Sequence, residues 1–473
     1  MRDLFLLGLL FGFIFISFRA PYFMALGYLW IDFLQPQRMA YYVFSQLPVA
    51  MILGAGALIS FLLFDKQRRL KISVIQVLII LLVAWSTMST FSIAIVPGAE
   101  NKWDWTTKAL LFSAFLPFVL TTRIRIEAAL ATIIFSISAI TVSAGLKTLL
   151  GGGGYGAISL LVNNNTGLFE GSTLATTALA LVPMIWWLYK HNSFFRPSWV
   201  TFIIAFGLTL CAALITVGAE ARTGLVAMAA LAVIYWWRSK RKFIIGAALT
   251  IAAVVSVPFL PTTFVERMSS IQTFQADQSA STRLAVWEWT LDYTEENPLG
   301  GGFMIFKTNV LDVTLTNVSE DGDVTTVDVK ERARAFHSSY FEVLGELGYP
   351  GFILWMTIVV LFYFRARGVV RKERKRLKTM DPEDPEREHA EWTASFANAV
   401  VVAIPTYMAG SLFVGIAFQP AFYHLAALTI SVAFLRDERA AALLATDKKQ
   451  SFRRARRQAR GRASGPAGAF PAE

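Results

Sequence analysis

The sequence predicts an all-α polytopic membrane protein of about 12–13 transmembrane helices with one long outer loop. Three observations predict it. The chain has 473 residues, of which 55% are hydrophobic and only 16% charged. Soluble chains carry about 25% charged residues. Apolar runs of spanning length recur from residue 47 to residue 435, and a helix needs about 20 such residues to cross the hydrocarbon core. Between the runs, lysines and arginines gather in short clusters, as the positive-inside rule requires of cytoplasmic loops.

The candidate spans are 47–64, 72–96, 105–122, 127–149, 171–189, 199–217, 222–237, 243–260, 337–364, 395–416 and 418–435. Shorter runs, Leu4–Phe18 and Pro21–Leu34, precede them. As two full spans these place the N-terminus outside; as a re-entrant pair they place it inside. Arg19-Ala20-Pro21 is a poor cleavage site, so the start is not read as a signal peptide. Basic clusters at Asp65–Lys71, Arg123–Glu127, Lys190–Arg196, Arg238–Lys242, Arg365–Lys378 and after Arg436 are read as cytoplasmic. The segments between them, including 97–104, 150–170 and 261–336, then alternate to the outside without exception from residue 47 onward.

The net charge of +11 follows this alternation. It therefore argues against nucleic acid as a partner and for contact with membrane lipids. The single cysteine, Cys211, lies in an apolar run, so one chain holds no disulfide framework.

Two outer segments are long enough to carry function. In 150–170, four glycines precede Asn163-Asn164-Asn165-Thr166 and Glu170. The asparagines suit sugar hydroxyls and equally suit capping of the next helix. In 261–336, the stretch Leu284–Tyr293 has the spacing of an ordered, partly interfacial helix. The acidic stretch from Leu311 to Glu331 includes Glu320-Asp321-Gly322-Asp323, which lacks the ligand spacing of a calcium loop and is read as a solvated turn.

Three cationic residues face the outer side: Arg222 in Glu220-Ala221-Arg222-Thr223-Gly224, Arg283 in Ser281-Thr282-Arg283, and His337 in His337-Ser338-Ser339-Tyr340. Of the four histidines, His191 and His389 fall in cytoplasmic loops and His424 within the last span. Only His337 stands where a long outer loop re-enters the membrane. It is placed to act as a general base near neutral pH, or simply to anchor the helix end. The arginines are placed to snorkel to headgroups or to grip a diphosphate through bidentate guanidinium contacts. No P-loop, no dinucleotide fingerprint and no metal-ligand cluster stands in the chain. A substrate already activated as a lipid diphosphate fits these absences.

These residues resemble the O-antigen ligase and polymerase superfamily of bacterial envelope glycosyltransferases. The resemblance runs from about Thr166 to Phe352. It comprises an arginine opening a mid-chain span, then Arg283, Trp287 and Pro298-Leu299-Gly300-Gly301-Gly302-Phe303, then His337-Ser338 and Gly345-Glu346-Leu347-Gly348-Tyr349-Pro350-Gly351. The N-terminal stretch, with Gln35-Pro36-Gln37-Arg38, resembles the branch of exosortase-associated O-glycosylation ligases.

The resemblance implies transfer of a glycan from an undecaprenyl diphosphate carrier to an acceptor hydroxyl on a lipid core sugar or a protein. It implies no cofactor and no metal, at the periplasmic face of the inner membrane. Arg222 and Arg283 would hold the diphosphate and His337 would activate the acceptor. Asn164, Asn165 and Ser338 are candidate substrate contacts. Ser338 stands where the ligase pattern often has asparagine, and the acidic insert 311–331 has no counterpart. Polymerisation of lipid-linked repeats is the alternative, and a transporter or a non-catalytic export component is the alternative from another class. The implied division is an N-terminal membrane region (1–130), a catalytic core (131–364) containing the loop 261–336, a basic loop (365–393), the last spans (394–435) and a disordered basic tail (436–473).

Overall fold

The computed structural model describes residues 2–41, 43–151, 167–262, 264–265, 278–318 and 324–463. Asn164, Asn165 and the acidic turn 320–323 lie outside the described residues.

Two short helices, α1 (Arg2–Ser17) and α2 (Phe23–Leu34), open the chain. Two single turns, α3 (Pro36–Met39) and α4 (Val43–Gln46), follow. Then come α5 (Val49–Leu63), α6 (Val74–Ser92), α7 (Ala99–Val119), α8 (Arg123–Leu149), α9 (Gly171–His191), α10 (Trp199–Gly218), α11 (Arg222–Arg238) and α12 (Lys242–Ser256). The outer segment holds α13 (Gln278–Glu296) and a hairpin of β1 (Val310–Val318) and β2 (Val324–Arg332). The chain ends with α14 (Ser339–Thr379), α15 (Arg387–Gly410) and α16 (Pro420–Ala463).

Six of these helices, α6, α8, α9, α10, α14 and α15, are individually long and apolar enough to cross a membrane. Helices α2, α5 and α12 are apolar but shorter. The all-α polytopic class therefore holds, with one β-hairpin added.

Polar residues set the helix starts. Ser73 and Gln76 form a capping box on α6, Ser198 and Thr201 one on α10, and Thr122 caps α8. Burial separates core from periphery. Helix α9 is 83% buried over its apolar window, whereas α10 is 33% buried and α12 buries nothing. Phe202, Ile203, Phe206, Ile244 and Ile251 are exposed apolar side chains on α10 and α12. On a helix that is hydrophobic all round, such residues face lipid.

Ion pairs mark one end of the bundle. Arg125 binds Asp65 at 2.6 and 2.9 Å, Arg69 binds Glu438 at 2.6 Å, and Arg123 reaches Glu127 and Glu388. Every basic cluster read as cytoplasmic contributes to this inner end or leads from it. The opposite, outer end joins the starts of α7, α9, α11 and α14 to the ends of α6, α10 and α15. Gly171 packs on Ala219, Gly224 on Thr216 and Ala175, and Gly410 on Thr176.

The N-terminal ambiguity is resolved by contacts at both ends. The Tyr41 N–H donates to Asp3 at 3.2 Å, and Arg2 lies 4.0 Å from the Tyr41 ring. Arg38, a few residues earlier, lies over Phe169 at the outer end, while Tyr22 lies under Arg125 at the inner end. Helices α1 and α2 thus traverse the bundle as two passes, and the N-terminus sits at the outer end. Their shortness is offset by packing of α2, whose residues from Ala25 to Ile31 are all buried.

Three boundaries differ from the sequence reading. Helix α14 runs to Thr379, well past the span end at 364, and α16 continues to Ala463 where a disordered tail is expected. Both extensions are rich in Arg, Lys, Leu, Ala and Glu, strong helix formers, and neither is broken by proline. The acidic insert 311–331 is a hairpin in the register Val310↔Arg332 to Val318↔Val324. Its inward Leu311 and Val313 join Val96, Val286, Ile305 and Phe336 in a small core of their own, outside the main bundle.

Candidate functional site

The motif glycines build the frame. At Gly348 (φ 63°, ψ −168°) α14 loses helical geometry for one residue, a conformation open essentially to glycine alone. The carbonyls freed there accept from the outer loop: Gly301 N–H donates to Gly345 O at 3.0 Å and Gly302 N–H to Glu346 O at 2.9 Å. In return, Tyr349 N–H donates to Pro298 O at 3.0 Å. A Cβ on Gly300 or Gly348 would collide with backbone of the other segment. The two motifs, 298–302 and 345–349, are therefore one interlocked backbone structure.

Beneath it lies a buried charge cluster that the sequence reading missed. Lys102 Nζ lies 2.7 Å from Glu342 and 2.7 Å from Glu346. Glu346 also accepts from the Met304 N–H at 2.9 Å, and Glu342 from the Ala417 N–H at 3.2 Å. Lys102 thereby joins α7, α14, the glycine loop and the segment 411–419.

His337 follows the hairpin in left-handed backbone conformation (φ 48°), a region that histidine enters more readily than most residues. Its neighbours hold it there. Trp287 Nε1 donates to Phe336 O at 2.9 Å, and Ser339 N–H donates to Ser411 O at 2.9 Å. Ser339 Oγ ties on to Val414 and Ile416, both at 2.9 Å.

The hairpin positions the arginine. Glu331 of β2 accepts from Thr282 Oγ1 at 2.8 Å, fixing the residue beside Arg283. Asn309 clamps the hairpin base through Arg334 N–H at 2.9 Å and Arg334 O at 2.7 Å. The insert without a place in the sequence reading is thus what sets α13 against His337.

Although the residue surface is exposed, surrounding protein pushes the His337 imidazole below its ordinary range, chiefly by desolvation. Arg283 pushes further in the same direction, Glu170 pulls upward and Arg334 adds a smaller lowering. Glu170 caps α9 by accepting from Ser172 and Thr173 N–H at 3.0 and 2.7 Å. It follows Phe169, which Arg38 of the Gln35–Arg38 turn covers at 5.0 Å. Sequence reasoning left Glu170 and Arg38 out of the site. The signal for Glu170 was a carboxylate just before a span on the outer side.

Arg222 opens α11 on the far side of segment 411–419. Thr223 Oγ1 donates to Phe413 O at 3.4 Å, and the Phe413 ring lies 6.1 Å from Trp287, one turn beyond Arg283. Arg283 and Glu170 thus both act electrostatically on the His337 ring, and the residue beside Arg222 meets the backbone of segment 411–419. Ser338 is buried beside His337, and its backbone opens α14.

His424 stands apart. It is fully buried, with Nδ1 2.8 Å from Ser113 Oγ and Nε2 2.7 Å from Asp32.

A multi-pass helical membrane protein whose long loop is locked by backbone hydrogen bonds to the start of a late span is the class these observations define. Residues 207–356 match the family model described as O-Antigen ligase, and that range contains Arg222, Arg283, His337 and both glycine motifs. Residues 1–193 match a family of unknown function (DUF5935). No curated protein matches the chain. The first match supports the O-antigen ligase/polymerase superfamily and glycosyl transfer of that general type by a multi-pass protein of the bacterial inner membrane.

Proposed function

We propose that the protein ligates a glycan from an undecaprenyl diphosphate carrier to an acceptor hydroxyl at the periplasmic face of the inner membrane. The observation that carries the reading is the match of residues 207–356, which contains Arg222, Arg283 and His337, together with the lowering of the His337 imidazole by Arg283. The cation-rich opposite end supports the sidedness, since basic loops stay in the cytoplasm.

In the proposed step, the acceptor oxygen attacks the anomeric carbon. The bond from that carbon to the diphosphate oxygen breaks, and its electron pair leaves with the diphosphate. Neutral His337 takes the hydroxyl proton, contributing about 10²–10⁴-fold. Arg283 and Arg222 stabilise the charge that develops on the leaving diphosphate, in sites fixed before the reaction begins. Glu170 favours the imidazole once protonated, through its charge. The N-terminal resemblance favours a protein acceptor and the exosortase-associated branch.

The test is transfer from a purified lipid diphosphate donor, with variants matched for membrane level. His337→Ala is expected to abolish transfer while remaining in the membrane. Arg283→Lys and Arg222→Lys are each expected to slow it, because a point charge does not replace a bidentate fork. Near-normal transfer by His337→Ala removes the general-base role. A ladder of products in place of a single transfer would show a polymerase.

A further inference from the structure

At the inner end, α11, α14 and α15 enclose a cleft of about 630 Å³ lined by Arg238, Arg367, Arg371, Arg374, Lys375 and Lys378. Its remaining lining is Val370 and Val401, and no carboxylate borders it. Neighbouring cations at this end are neutralised: Arg365 by Asp437, Arg376 and Arg436 by Glu373, Arg387 by Glu391. Among the described residues, none of the six cleft cations makes an ion pair.

Two of the six converge on a single neutral oxygen. Arg238 and Arg374, from different helices, both donate to Asn398 Oδ1. Holding like charges around one amide oxygen is unfavourable unless an anion shares the space. The positive-inside rule asks only for charges in a loop, not for their convergence from two helices on one cleft. Aromatic residues give the depth. Lys242 lies 5.2 Å from the exposed Trp237 ring, Trp236 Nε1 donates to Lys242 O at 3.0 Å, and Arg367 lies 5.8 Å from the Tyr363 ring. Tryptophan and tyrosine of this kind mark the headgroup level.

We propose that this cleft binds the phosphodiester headgroup of an anionic phospholipid of the inner leaflet, with charge enough for two phosphates. Guanidinium forks suit phosphate oxygens, and Val370 and Val401 meet the apolar part of the headgroup region. The site is distinct from the outer-end cluster, so its test does not depend on glycan transfer.

Thermal unfolding of the purified full chain in neutral detergent is followed with added cardiolipin, phosphatidylglycerol, phosphatidylcholine or inorganic pyrophosphate. The two anionic lipids are expected to raise the midpoint, cardiolipin more, and phosphatidylcholine and pyrophosphate not to. Arg238→Gln/Arg374→Gln is expected to lose the response. Lys190→Gln/Arg196→Gln, which removes the same charge from exposed inner positions, is expected to keep it. A milder pair, Lys375→Gln/Lys378→Gln, involves no ion pair or hydrogen bond among the described residues. It should weaken cardiolipin binding about tenfold or more by native mass spectrometry. Unchanged binding by either cleft variant overturns the proposal. An equal shift with pyrophosphate assigns the cleft to a soluble phosphate compound and overturns the lipid source.

Discussion

Replacing Lys102 by methionine isolates the buried cluster that holds the outer end together. The lysine, Glu342 and Glu346 side chains are 14%, 11% and 0% exposed, and both ion pairs measure 2.7 Å. At that distance each pair attracts by about 6 kcal/mol with an effective dielectric of about 20. Most of this attraction offsets the cost of taking the charges out of water. Lys102→Met removes the attraction and leaves the carboxylates in place, a change that costs about 3–5 kcal/mol where buried pairs are broken. Lys102→Met/Glu346→Gln also removes the stranded charge. It should be more stable than Lys102→Met alone, with a coupling of about 1–3 kcal/mol in the double-mutant cycle. Denaturant unfolding in detergent micelles, read by tryptophan fluorescence, measures both. A Lys102→Met protein within about 0.5 kcal/mol of wild type refutes the reasoning, because a surface pair would behave that way. So does a double variant less stable than the single one. Glu342 also holds segment 411–419 through Ala417, so Lys102→Met should slow transfer in the protein that remains folded.

The lowered His337 pKa fixes a pH profile. The ring stays neutral below its ordinary value of about 6.5, so kcat/KM should be flat through that pH and fall only as pH drops through the folded value. Removing one of the lowering charges with Arg334→Gln should move the acid limb upward, and an unmoved limb would sever the electrostatic link. Stability follows the same sign: this histidine's contribution is complete above about pH 6.5 and is lost as pH falls through its folded pKa. His424→Ala should show the converse of His337→Ala. It strands Ser113 and Asp32, at about 1–3 kcal/mol for each unsatisfied group, so thermal stability and membrane level fall while the folded remainder still transfers glycan. Unchanged stability with lost transfer would move His424 into the chemistry.

What the sequence displayed well was anything local. Apolar runs alternating with DKQRR, RSKRK and similar clusters gave the passes and their directions, because lipid thickness and loop charge act segment by segment. His337 was visible for the same reason, as the histidine at the return of the long loop. What stayed hidden depends on residues distant in the chain. Lys102 and Glu346 each look like a polar residue near a span end, and only folding places them in contact. The glycines of 298–302 and 345–349 look like loop flexibility, yet their function is mutual backbone contact. The hairpin was legible in principle: Asp321-Gly322 flanked by alternating apolar residues is a strand-turn-strand pattern. The reading of Glu320-Asp321-Gly322-Asp323 as a solvated turn assigned no strands to its flanks. Helix α14 ran past Phe364 because the lysine- and arginine-rich run that ends a span is also a strong helix former.

The backbone exchange between 298–302 and 345–349 also limits how such chains can diverge. An outer loop transplanted from a relative brings its own donors but meets the host's carbonyls. A mismatch of a few tenths of an ångström at Gly300 or Gly348 has no side chain through which to relax. Loop and span entrance therefore form one unit of inheritance. Chimeras that change acceptor preference should join before Gln278 and after Gly351, keeping both halves of the lock from the same parent.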